Sequence, residues 1–180
     1  MKATLIVKAK SVVIIHTRLD NKSVWHYNRI LDSNKTEKQM AYMNQERKAK
    51  IATNLKPILK KYGIKGSLSV NNHSTIVLTL KSGSIDFIEN FIQTDLDKPY
   101  GNKMSQDRVD YIRKTNNIDV NPYWFQEHFS GVAKEFLTEA MTALKSADWY
   151  DESDAQVDYF NTAYYVDINI GKWNTPYVVG

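Results

Sequence analysis

Between residues 48 and 94 the spacing of apolar side chains changes period twice. Ile51, Leu55, Ile58, Leu59 and Tyr62 recur at i, i+4, i+7, i+8 and i+11, the signature of one helical face. Ile76, Leu78 and Leu80 then alternate as one face of a strand does. Asn71-Asn72-His73 separates that run from Ser67–Val70, and these residue types tolerate the backbone of a tight hairpin. After Lys81-Ser82-Gly83, Ile85, Phe87, Ile88, Phe91 and Ile92 return to helical spacing, with Ser84 as the expected cap. The segment 37–94 therefore predicts an α-β-β-α unit. Pro57 should kink its first helix or restart it, and Gly63, following Lys60 and Lys61, should end it.

The flanks fit the same class. Residues 3–17 are rich in Val, Ile and Thr and read as one bent strand or two short ones near Lys10-Ser11, within an N-terminal segment 1–36. Residues 95–121 form a connection, with a short helix over the charged stretch 105–114. Asn121-Pro122 is a helix start, and Phe125, Phe129, Val132, Phe136, Ala140 and Leu144 extend a long helix over 122–145. Residues 163–170 alternate as a half-exposed strand ended by Gly171. The expected fold is α+β, an antiparallel sheet packed by two or three helices in one domain spanning 1–180.

Cysteine is absent, which rules out disulfides, thiolate nucleophiles and cysteine-bearing zinc sites, and points to a reducing cytoplasmic setting. No stretch is long and apolar enough to span a bilayer, and the N-terminus, broken by Lys8 and Lys10, lacks an export signal's apolar core. The motifs of zinc peptidases, phosphate-binding loops, dinucleotide-binding folds and serine hydrolases are missing, so no cofactor, metal or catalytic residue is assigned. His73-Ser74-Thr75 does match one half of a two-histidine phosphoesterase site. That chemistry needs a second such element, and His16-Thr17-Arg18 departs from the pattern. A phosphodiesterase using His73 is the enzymatic alternative, and a turn histidine the plain one.

Charge is distributed unevenly. Residues 1–81 carry 16 Lys and Arg against 4 Asp and Glu, and residues 82–180 carry 8 against 16. Such asymmetry fits either a polyanion-binding surface or two faces that neutralise each other on folding. Arg47, Lys48, Lys50, Lys56, Lys60, Lys61 and Lys65 lie on or just after the first helix of the unit and could neutralise phosphates, with Trp25, Tyr27 and Tyr42 available to stack on unpaired bases. Conversely, Asp148, Asp151, Glu152, Asp154 and Asp158, extending to Asp167 with no Lys or Arg between, could imitate a phosphate backbone. They could equally form a solvated acidic loop.

Two stretches carry a family likeness. Glu46 to Gly83, with Tyr62-Gly63-Ile64-Lys65 and Ser82-Gly83-Ser84-Ile85-Asp86-Phe87, resembles the large polyvalent protein-associated domains of phage and conjugative-element proteins. Asp158-Tyr159-Phe160 and the run Tyr164 to Trp173 are similar to the tail of phage and mobile-element proteins bearing that leading unit. The Asn72-His73-Ser74 hairpin with its following strand and helix also resembles a family of small anti-CRISPR proteins. The likeness implies a mobile genetic element acting inside a bacterial host. The expected function is a non-catalytic binding protein that inhibits a host nucleic-acid-targeting defence system. Its partner would be a defence protein or nucleoprotein, with DNA or RNA itself as the alternative for a small nucleic-acid-binding accessory protein.

Overall fold

The computed structural model describes residues 41–101 and 103–180 together with two short strands, β1 (Val7–Lys8) and β2 (Ser11–Val12). The chain divides into two compact units, Met1–Lys38 and Gln39–Gly180. Within the first, β1 and β2 pair antiparallel with Val7 opposite Val12, so the expected N-terminal strand is two short ones. The second unit runs α1 (Gln45–Lys61), β3 (Lys65–Asn71), β4 (Thr75–Gly83), α2 (Phe87–Leu96), α3 (Gln106–Thr115), β5 (Ile118–Val120), α4 (Phe125–His128), α5 (Gly131–Leu144), β6 (Tyr165–Ile170) and β7 (Val178–Val179). The fold is α+β, and its α1-β3-β4-α2 stretch is the α-β-β-α unit read from the apolar spacing.

Helix α1 starts later than the sequence pattern predicts. Residues 41–44 are not helical, because the amides of Tyr42 and Met43 donate to the carbonyls of Ala163 and His73 at 2.9 and 2.7 Å. Asn44 is the cap, its side chain accepting from the Arg47 amide. The helix passes through Pro57 as one element, losing one backbone bond on an exposed flank while Ile51 and Leu55 stay fully buried. Each such buried side chain contributes roughly 1.5–3 kcal/mol. The C-terminus is a Schellman motif: Gly63 adopts φ +64°, its amide donates to Lys60, and the Ile64 amide donates back to Leu59.

The hairpin tip at Asn72 and His73 takes positive φ at both residues, and the Ser74 amide donates to the Asn71 carbonyl. β4 lies inside the sheet, whose order is β3-β4-β6-β5 with β7 paired to the end of β4. Ile76, Leu78 and Leu80 face Val166, Ile168 and Ile170 across a parallel ladder, and Leu68 and Val70 across an antiparallel one. The sheet is thus mixed, where the sequence reading expects it antiparallel throughout. A parallel neighbour needs a long crossover, and the segment from α2 to α5 supplies it.

Two local readings change for identifiable reasons. Asp86, not Ser84, caps α2, accepting from the Glu89 amide, while the Ser84 hydroxyl donates to the Tyr62 carbonyl. The long helix expected over 122–145 is two helices. The Asn121 side chain holds a turn by accepting from the Tyr123 amide, and the break at Ser130 is clamped by Asn90, which accepts from the Ser130 amide and donates to its carbonyl. The connection carries the expected short helix as α3, followed by β5. Asp95 accepts from Lys98 at 2.7 Å and from the Met104 amide at 2.6 Å, Arg113 binds Glu89 through both carboxylate oxygens, and Val109 and Ile112 are buried.

Phe87, Phe129, Phe136 and Tyr177 stack edge-on or tilted at the centre of the core. Tyr177, in the segment read from sequence as an aromatic tail, is fully buried with its hydroxyl donating to the Ile85 carbonyl, and burial pushes the phenol up to about 12. The tail can turn inward because Gly171 sits at φ +67°, where a Cβ would lie 2.6 Å from the Tyr177 amide. Among the described residues no helix is long and apolar enough to cross a membrane.

Candidate interaction surfaces

The basic residues on or just after α1 separate into three groups. On the flank facing α5, Lys50 pairs with Asp148 at 3.2 Å and Lys61 with Glu139 at 2.6 Å, while Tyr62 also donates to Glu139. These bonds hold Lys61 above the usual lysine range and Glu139 below the usual carboxylate range, the hydrogen bond between them being the largest cause for each. Arg47 turns back onto the fold, donating to the carbonyls of Tyr42 and Ala163 and lying 5.8 Å from the Tyr164 ring centre. Lys56, Lys60 and Lys65 are exposed, Lys48 is half-buried, and none of the four has an ion pair among the described residues. Tyr42 is exposed near the helix start. Trp25 and Tyr27 lie outside the described residues. Lysines of α1 and acids on and just after α5 therefore meet and neutralise each other at two points.

The acidic segment behaves differently. From Tyr150 to Ala163 the chain leaves the body, turns and returns as an irregular two-stranded arm. The Ala163 amide donates to Tyr150, the Glu152 amide to Asn161, and Asp154 and Tyr159 exchange both backbone bonds at 2.7 and 3.0 Å. Short polar side chains fold the tip: Asp151 accepts from the Ser153 amide, and Asp154 from the Gln156 amide ahead of a 3₁₀ turn at Ala155–Val157. Asp158 closes the turn at φ +51°, and Glu152 accepts from the Asn161 amide group. Residues 151–160 are all exposed.

Asp151, Glu152, Asp154 and Asp158 thus project from one protrusion without a Lys or Arg in it, and none takes part in an ion pair among the described residues. Asp148 stands outside this set, at φ +56° before the arm, with its carboxylate on Lys50. The arm also carries apolar surface: Val157 is 69% and Phe160 66% exposed, with Tyr159 beside them. Acidic residues drew attention to the segment, whereas the exposure of its apolar residues is set by the fold. The arm is anchored by Thr162, whose hydroxyl donates to the Tyr150 carbonyl, and by Trp149, whose indole N–H donates to Tyr164.

His73 sits exposed at the hairpin tip, and its carbonyl accepts from Met43, so its place in the fold is that of a turn residue. His128 lies against the Phe91 ring, and His16 falls outside the described residues. Among the described residues there is no group of three or more His, Asp or Glu arranged to hold a metal ion. In comparisons with known protein families, curated proteins and solved structures, nothing matches this chain.

Proposed function

We propose that this chain is a non-catalytic binding protein whose carboxylate-bearing arm occupies a basic, nucleic-acid-binding groove of a partner protein. The observation that carries this reading is the arm from Tyr150 to Ala163: four carboxylates with no Lys or Arg, spaced along an ordered and exposed hairpin. Charges arranged at intervals on a narrow protrusion meet the lysines and arginines that would otherwise meet phosphates. Val157, Tyr159 and Phe160 supply the apolar contacts that charge pairing alone lacks, since desolvated aromatic anchors carry most of the affinity at protein interfaces. The likeness to phage and mobile-element proteins implies that the partner is a nucleic-acid-targeting defence machine of a bacterial host, and that the chain inhibits it.

A direct nucleic-acid contact is the second reading, favoured by Lys48, Lys56, Lys60 and Lys65, which have no ion pair among the described residues. One experiment separates the two. The chain, a variant with Asp151→Asn, Glu152→Gln, Asp154→Asn and Asp158→Asn, and a variant with Lys48, Lys56, Lys60 and Lys65 changed to Ala are compared for protection of plasmid or phage DNA in defended host cells. Binding of each to labelled DNA and RNA is measured at low salt. Loss of protection in the acidic variant alone, with negligible nucleic-acid binding by all three, is the expected result. Loss in the lysine variant alone, together with salt-sensitive nucleic-acid binding, overturns the arm reading in favour of the basic one.

A further inference from the structure

We propose that the free edge of β3, with the groove between it and α1, takes up an extended peptide of alternating apolar and acidic residues from a partner protein as an added strand. This site is separate from the arm and does not rest on the use proposed for it. β3 is the outermost strand on its side of the sheet, with β4 on one flank and, among the described residues, no strand on the other. From Gly66 to Asn71 its ladder with β4 is regular, and in an antiparallel ladder alternate residues turn their N–H and C=O groups away from the neighbour. Edges of this kind are ordinarily guarded by a charge, a proline or a bulge. The run Gly66-Ser67-Leu68-Ser69-Val70 carries no charged residue and no proline.

The groove beside this edge suits the side chains of an added strand. It has a volume of about 270 Å³ and is lined chiefly by Leu55, Lys56 and Leu59 of α1, Gly66 and Leu68 of β3 and Leu78 of β4. Gly66 lies on the same face of β3 as Leu68 and leaves space there; a Cβ at this position would lie 3.0 Å from the Thr79 carbonyl oxygen. Leu55 and Leu78 are buried and form the floor, while Leu59 and Leu68 are half-buried. Side chains along a strand alternate in direction, so every second residue of the added peptide points toward α1 and fills the groove, while its backbone supplies the ladder.

Charge decides the occupant. Lys56 lines the groove and Lys65 begins the strand; both are exposed, and neither has an ion pair among the described residues. No Asp or Glu is among the residues lining the groove, so acidic residues interleaved with the apolar ones meet unpaired positive charge. A two-fold pairing of β3 with β3 of a second copy would set two such lysine-bearing flanks beside each other, and like charges oppose it. Single-stranded nucleic acid fits less well, because the lining is aliphatic and offers no aromatic face on which a base can stack.

The test is a fluorescence-anisotropy titration of the full chain into a labelled peptide of alternating valine and glutamate. Beside it run the same peptide with lysine for glutamate, a version with proline at alternate positions, and labelled single-stranded DNA. The glutamate peptide is expected to bind saturably and to slow hydrogen exchange, followed by nuclear magnetic resonance, at amides of residues 66–70. Lys56→Glu combined with Lys65→Glu is expected to weaken it about tenfold, and the proline peptide, which lacks donors for the ladder, to bind about tenfold more weakly. Absence of saturable binding overturns the proposal, as do unchanged affinity in the double variant, unchanged exchange in β3, equal binding of the lysine peptide or tighter binding of the DNA. A stable dimer in sedimentation whose β3 amides are already protected overturns it in favour of a second copy. Should the double variant fail to fold by circular dichroism, Lys56→Glu alone, at an exposed position of α1, decides the matter: unchanged peptide affinity in that variant overturns the proposal.

Discussion

The acids of the body and the acids of the arm are put to opposite uses. In the body, Glu89 is gripped by Arg113, Asp95 by Lys98 and the Met104 amide, and Glu139 by Lys61 and Tyr62. Those bonds depress the pKa of each carboxylate, with the hydrogen bond to its basic partner as the largest cause. In the arm, Asp151, Asp154 and Glu152 accept only from neutral groups of the same hairpin, and their charge is presented outward. An acid that serves the fold is hydrogen-bonded to its counter-charge; the arm's acids are not, Asp151 acting on Lys145 only through space. The comparison explains why net charge along the sequence is a poor guide to charged surfaces here: α1 contributes Lys50 and Lys61 to the fold, whereas the arm spends none of its carboxylates on a basic side chain.

The contrast is open to measurement. The largest effect is expected in the body: Ile51→Ala or Leu55→Ala, each deleting a fully buried side chain of α1, should lower unfolding free energy by about 2–5 kcal/mol in denaturant titrations. A smaller, pH-dependent effect is expected at Asp95. Its folded pKa lies below the unfolded value of about 3.9, so the stability it contributes is fully present above that value and is lost as pH falls through the folded pKa. Asp95→Asn should therefore destabilise the protein at neutral pH and flatten the acid limb of a stability profile measured below about pH 4. The smallest effect is expected from the fourfold arm variant, because Asn at 151 and 154 keeps the oxygen that accepts the turn amide. Its unfolding free energy should stay within about 1 kcal/mol of the parent. A larger loss would mean that the arm's carboxylates serve the fold after all.

Much of the architecture was legible in single residues. Ile51, Leu55 and Tyr62 marked α1, Gly63 its end, Asn72-His73 the hairpin tip, and Ile76, Leu78 and Leu80 the inward face of β4. The breaks were not legible, because each is decided by a distant partner. Asn90 interrupts the apparent helix at Ser130, and the amides that would have lengthened α1 at its start are claimed by Ala163 and His73. Ser84 is the cap the local pattern suggests, and the docking of its hydroxyl onto Tyr62 leaves the role to Asp86. The arm was visible as an acidic run, but its ordered shape and exposed Val157 and Phe160 were not.

Local periodicity and turn chemistry, which depend on neighbours within a few positions, determined the α+β class, the α-β-β-α unit and the segregation of charge along the chain. Tertiary packing decided which strands run parallel, where Tyr177 is buried and which charges find a partner. Those outcomes depend on groups many residues apart being brought within hydrogen-bonding distance, and no local pattern encodes that distance.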